Sequence, residues 1–141
     1  MLELTTNDIT LGCQEQSKSE VLSRVCQVFQ TKGFTSSKCL EQLEAREKQI
    51  STYLGNGIAL PHISDHQRNI VQHSGVHIFQ FPHGIRWDKF HIAFLVIAVA
   101  AQEQEHLTIL KDIASLLSNE LVTRALSSVS NKDDFLKILK G

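Results

Sequence analysis

One stretch limits the fold more than any other: Ile92-Ala93-Phe94-Leu95-Val96-Ile97-Ala98, which is apolar without alternation and continues as an apolar run to Ala101. A half-buried strand alternates, whereas a strand covered on both faces reads as a continuous apolar run. Ten residues are about half of what a helix needs to cross a bilayer. The run is therefore expected to be a central strand with cover on both sides. Helical patterns both precede and follow it, so the expected architecture is a single α/β sandwich. At 141 residues, of which 42% are hydrophobic, the chain has the size and core material of one ordinary domain, taken here as residues 1–141.

The elements around that strand follow from spacing. Ile9 and Leu11 alternate with polar neighbours and suggest a short first strand. Ser17-Lys18-Ser19-Glu20 is a capping-box pattern, followed by Val21, Leu22, Val25, Cys26, Val28 and Phe29 at helical spacing, with Gly33 placed to end the helix. A second helix is expected from Ser36 or Ser37 to about Lys48, with Leu40 and Leu43 inward. Gly57-Ile58-Ala59-Leu60 is a short strand fenced by glycine and Pro61. Val76 to Phe81 shows period-two patterning, and Pro82-His83-Gly84 is expected to turn the chain. Near the end, Leu107, Leu110, Ile113, Ala114 and Leu117 form one helical stripe, and Leu121, Val122, Ala125 and Leu126 another. Asn131 is placed to cap a last helix that buries Phe135, Leu136 and Leu139.

Composition excludes several functions. Fourteen Lys and Arg against fifteen Asp and Glu give a net charge of -1, with none of the basic excess that nucleic acid selects. Three cysteines (Cys13, Cys26, Cys39) form no CxxC, and an odd count without a signal peptide reads as reduced thiols in the cytosol. There is no GxSxG and no phosphate-loop motif. All seven histidines fall between His62 and His106. His62-x3-His66 and His73-x3-His77 have ligand-like spacing, yet an i,i+4 pair along a strand lies far apart and no cysteine is near. Neither a metal nor a cofactor is expected.

Three residues stand out as candidates for chemistry. His62 follows Pro61 at the end of a glycine-bounded strand, where an open α/β sheet places its reactive crevice. The alternative is a loop histidine with no role. His106 follows the central strand at a helix start, where N–H groups favour an anion. Glu103 and Glu105 compete for that field or raise the basicity of the imidazole, and a capping-turn histidine is the plainer alternative. Arg46 sits in Glu44-Ala45-Arg46-Glu47-Lys48, a charged helical run of the kind that usually faces solvent.

The stretch Arg46-Glu47-Lys48-Gln49-Ile50-Ser51-Thr52-Tyr53-Leu54-Gly55-Asn56-Gly57-Ile58-Ala59-Leu60-Pro61-His62 resembles the signature of IIA components of the bacterial phosphoenolpyruvate-dependent sugar phosphotransferase system. The likeness is to the mannitol/fructose class, nearest the mannitol type. It extends to Thr10-Leu11-Gly12, to Phe81-Pro82-His83-Gly84-Ile85-Arg86 and to Glu105-His106-Leu107. The resemblance implies a mixed β-sheet flanked by α-helices on both faces and a cytoplasmic phosphotransferase component. It makes His62 the phosphoryl-accepting nucleophile, with His106 and Arg46 stabilising the phosphate. It implies phospho-HPr as donor, a IIB domain as acceptor and a membrane IIC component as indirect partner. Glycine usually follows the phosphorylated histidine in this family; Ile63 stands there here. The other five histidines match no family feature.

Partner docking calls for an exposed apolar rim, for which Phe79, Phe81, Ile85 and Trp87 are candidates, with core packing the alternative and the preferred reading for Phe79. The second nitrogen of His62 is expected to be held by a hydrogen bond that fixes its tautomer. The same resemblance also admits a regulatory protein whose phosphorylation state controls other proteins.

Overall fold

The computed structural model describes the chain except residues 1–2, 37–38, 64–69, 103–104 and 117. Along the described residues the order is β1 (Ile9–Thr10), α1 (Lys18–Thr31), α2 (Cys39–Gln49), β2 (Tyr53–Gly55), β3 (Ile58–Ala59), β4 (Gly75–Asp88), β5 (His91–Ala100), α3 (His106–Leu116), α4 (Glu120–Leu126) and α5 (Lys132–Lys140). The strands form one mixed sheet in the order β1-β4-β5-β3-β2. β1 runs parallel to β4 and β3 parallel to β5, while β4–β5 and β2–β3 are antiparallel. β5 is the central strand, as its unalternated sequence requires. Val96, Ala98 and Ala100 face a core shared with Val25 and Phe29 of α1 and Leu43 of α2. Leu95, Ile97 and Val99 face a second core with Ile109, Ile113, Leu126 and Phe135 of α3, α4 and α5. Both faces are covered, and each large buried side chain contributes about 1.5–3 kcal/mol. Among the described residues no helix is long and apolar enough to cross a membrane.

Local chemistry sets the element ends. Ser17 Oγ accepts from the Glu20 N–H at 3.2 Å, and the Glu20 carboxylate accepts from the Gln16 N–H, also at 3.2 Å. The reciprocal bond thus lands one residue ahead of a strict capping box. Gly33 takes φ +76 directly after the helix, as its place in the sequence predicts. Asn131 Oδ1 accepts from the N–H groups of Asp133 and Asp134 and starts α5, which buries Phe135 and Leu139. The start expected for α2 falls partly on Ser37, which lies outside the described residues.

Four expectations are corrected. Pro82-His83-Gly84 does not turn the chain. β4 continues to Asp88, and the segment is a bulge where pairing with β5 shifts between Gln80 and Ile85. Gly84 sits at φ +77, with the Ile92 side chain only 2.5 Å from where a Cβ would be. The turn comes at Asp88–His91, where Asp88 Oδ1 accepts from the Phe90 N–H. Phe81, Ile85 and Trp87 are core, as Phe79 is expected to be, and none of the four is more than 4% exposed. On α3 the inward stripe is Ile109, Leu110 and Ile113, with Leu107 exposed; on α4 it is Thr123 and Leu126, with Leu121 exposed. β2, three residues long and ending in glycine, has no strand signal of its own; it pairs along the edge of β3.

Candidate functional site

The parallel pairing of β3 with β5 delivers His62 to the sheet's end. Ile58 aligns with Leu95 and Ala59 with Val96, and the ladder closes with the Val99 N–H donating to the Pro61 carbonyl at 3.0 Å. Proline has no N–H to give, so its carbonyl is the group used. Leu60 packs into the α3–α5 core and Ile63 into the α1–α2 core, so the backbone is anchored on both sides of His62. Ile63, which replaces the family's usual glycine, is 1% exposed and serves as an anchor. The imidazole itself is half-buried.

Its Nδ1 lies 2.7 Å from the Leu60 carbonyl oxygen. A carbonyl only accepts, so Nδ1 carries the proton and Nε2 keeps a lone pair. This is the tautomer-fixing bond expected from sequence. Its acceptor is main chain, which no side-chain pattern announces.

His106 is the first residue of α3 and is buried. The rings of His62 and His106 meet edge to face, 5.7 Å between centroids and 78° between planes. Arg46, in the last turn of α2, donates from Nη1 to the Ile50 carbonyl at 2.7 Å, which leaves other guanidinium N–H groups to offer an anion. Burial pushes the His62 imidazole below its ordinary pKa. The Leu60 carbonyl opposes that, the charge of Arg46 and the neighbouring His106 push the same way, and Glu47 pulls it back up. The imidazole is therefore neutral at pH 7. The three sequence candidates converge on one corner; of the two glutamates near His106, Glu103 lies outside the described residues and Glu105 is exposed and accepts from the Ser74 hydroxyl at 3.0 Å.

None of the other described histidines joins them. His66 lies outside the described residues. His73 and His83 are exposed, and His91 bonds Asp88 at 2.7 Å while stacking on Tyr53. His77 is buried within β4, its Nε2 2.7 Å from Thr10 Oγ1 and its Nδ1 without a hydrogen-bond partner. Among the described residues no cluster of three or more His, Cys, Asp or Glu could hold a metal ion. Cys13 and Cys39 are buried thiols, pushed up by burial to about 11 and about 12.

The apolar surface that sequence placed on β4 lies elsewhere. Leu107, beside His106, is 76% exposed, and Ile50, whose carbonyl holds Arg46, is 68% exposed.

A neutral imidazole held by one nitrogen and open at the other, next to a guanidinium and a helix start, defines a strand-end site suited to nucleophilic transfer of an anionic group. Over residues 3–141 the sequence matches the family described as phosphoenolpyruvate-dependent sugar phosphotransferase system, EIIA 2, and the chain belongs to that family. It is 37% identical over 141 residues to a multiphosphoryl transfer protein of Haemophilus influenzae, covering 100% of this chain and 28% of that one. It is 30% identical to the mannitol-specific phosphotransferase enzyme IIA component of Geobacillus stearothermophilus, covering 96% of this chain and 94% of the relative. Its fold superposes on Escherichia coli mannitol IIA, solved in complex with phosphorylated mannitol IIB, with TM-score 0.92 and 29% identity over 99% of this chain and 98% of that one. The chain spans 28% to 38% of the length of the multiphosphoryl transfer proteins it matches.

Proposed function

We propose that this chain is a single-domain cytoplasmic phosphoryl carrier of a sugar phosphotransferase system, with His62 as the residue phosphorylated. The observation that carries the reading is the 2.7 Å bond from His62 Nδ1 to the Leu60 carbonyl, which leaves Nε2 as the nucleophilic nitrogen. In the first step the Nε2 lone pair attacks the phosphorus of phospho-HPr in line. The Nε2–P bond forms as the donor's N–P bond breaks, and Nδ1 keeps its proton. In the second step a thiolate of a IIB domain attacks, an S–P bond replaces the N–P bond, and His62 returns to neutral. Such transfer needs positioning and charge stabilisation more than further covalent chemistry. Arg46 supplies a permanent charge and forked donors to the phosphoryl oxygens, and His106 a further donor.

The exposed Ile50 and Leu107 flank this corner and suit transient docking of two partners in turn. The sugar is a mannitol-like or fructose-like one, and the whole-length likeness to a mannitol-specific IIA component supports the first. Recognition of that sugar belongs to a membrane IIC partner downstream of IIB. That likeness also supports transport over a purely regulatory role, which would use the same chemistry.

The test is transfer of labelled phosphate from phospho-HPr. Wild-type protein should take up one equivalent, His62→Ala none, and His106→Ala a reduced rate with some incorporation remaining. Stoichiometric labelling of His62→Ala would overturn the assignment. Reconstitution with IIB domains and a panel of sugars then identifies the pathway served.

A further inference from the structure

The hydrogen bonds beneath His62 continue well past Leu60. The Leu60 N–H donates to the Thr52 carbonyl at 2.9 Å. Thr52 gives its N–H to Glu47 Oε2 at 3.3 Å and its hydroxyl to Glu47 Oε1. Trp87 Nε1 donates to the same hydroxyl at 3.2 Å, so the hydroxyl accepts from the indole and must point its proton at the carboxylate. Lys18 Nζ pairs with Glu47 at 3.0 Å and lies over the Trp87 ring. The Glu47 side chain is only 6% exposed, within a helical run that sequence expects to face solvent. A carboxylate so buried is tolerated only when donors surround it, and here they do.

We propose that Glu47 is a positioning residue for phosphoryl transfer, holding the Leu60 carbonyl against His62 Nδ1 through Thr52 and stabilising the imidazole ring as it becomes cationic. This rests on His62 being the phosphoryl carrier. When the Nε2–P bond forms and the donor's bond to phosphorus breaks, the Nδ1 proton stays and the ring gains positive charge. The Nδ1–H bond to Leu60 strengthens, and the Glu47 carboxylate, held on the far side of Thr52, favours the added positive charge through space. Among the described residues the groups bearing on His62 are then divided. Arg46 from α2 and His106 from α3 oppose a cationic ring, while the Leu60 carbonyl and, as the one charged group, Glu47 favour it, with Lys18 of α1 partly offsetting Glu47. Arg46 serves the phosphoryl oxygens and Glu47 serves the ring, from neighbouring positions in one helical turn.

The experiment compares wild type, Glu47→Gln and Lys18→Met in the full chain. It follows labelled phosphate uptake from phospho-HPr and the titration of the His62 ring by NMR. Glu47→Gln is expected to slow uptake by about tenfold and to move the His62 titration to lower pH. Lys18→Met leaves the carboxylate less compensated and is expected to move that titration to higher pH. Opposite signs separate a charge effect from loss of folding, which would move both variants alike. If wild type is labelled on His62 while Glu47→Gln matches it in rate and titration, the inference about Glu47 is wrong and the carrier reading stands. The positioning role of Glu47 fails equally if Lys18→Met shifts the titration downward or not at all. If wild type is labelled elsewhere than His62, the carrier reading itself fails.

Discussion

Two histidines, His62 and His77, are both pushed below their ordinary pKa by burial and both use one ring nitrogen in a 2.7 Å hydrogen bond. They differ in where the second nitrogen goes. His77 lies mid-strand, in β4 between β1 and β5 with Ala98 opposite it, so its Nδ1 is sealed without a partner. His62 lies just beyond the end of β3, bridged only to Val99, and among the described residues no hydrogen bond engages its Nε2 beside His106. A depressed pKa is thus common to a structural histidine and to the proposed reactive one. What separates them is position on the strand: mid-sheet burial closes both nitrogens, while a strand end closes one and leaves the other for chemistry.

Variants beside His62 and at His77 put that contrast at risk. The reactive corner should respond most strongly. Arg46→Ala removes the permanent charge from the phosphoryl oxygens and should slow uptake from phospho-HPr by about 10²–10³-fold. It should also raise the His62 titration, because the cation that lowers it is gone; slower uptake with an unchanged titration would place Arg46 away from the ring.

His77 should act on stability and not on transfer. Its folded pKa is depressed to about 4, chiefly by burial and then by the charge of Lys32, against an ordinary 6.5. Between those values the unfolded chain binds a proton that the folded chain refuses. Stability is therefore fully present above about pH 6.5 and falls as pH drops towards 4, by at most about 3 kcal/mol. Urea midpoints at pH 7 and pH 5 should diverge in wild type and diverge less in His77→Phe, with phosphate uptake at pH 7 retained. A weaker response is expected at a helix cap that bonds neither histidine. Asn131→Ala should cost about 1 kcal/mol of stability through its two lost capping bonds, read as a lower urea midpoint with uptake unchanged.

The parts of the molecule legible in sequence are those governed by local pattern. The unalternated run of β5 announced a strand with two covered faces, and Ser17, Gly33 and Asn131 announced helix ends through their own hydrogen bonds or backbone freedom. The proline and glycine beside His83 look like a turn, but cross-strand packing of Ile92 and Phe94 against Gly84 turns them into a bulge inside one long strand. The aromatic residues of β4 alternate as a half-exposed strand would, yet α1 and the β5 core cover them. Exposure of Leu107 and Leu121 followed from which helix faces met the sheet, and helical spacing alone does not fix that. At the site, the Pro61-His62 pairing pointed to His62, and only the family resemblance gave His106 and Arg46 a role beside it. Glu47 and the Leu60 carbonyl stayed hidden, one within a charged run and the other because a backbone oxygen has no letter of its own.

The proposed mechanism turns on the Leu60 carbonyl, which engages Nδ1 of His62 and so assigns Nε2 as the proposed phosphoryl acceptor. NMR of ¹⁵N-histidine-labelled protein phosphorylated from phospho-HPr reads this atom by atom, through phosphorus–nitrogen coupling. One phosphorus should couple to Nε2 of His62, with Nδ1 still protonated and bonded to Leu60. Phosphorus on Nδ1 of His62, or on any other histidine, would contradict it.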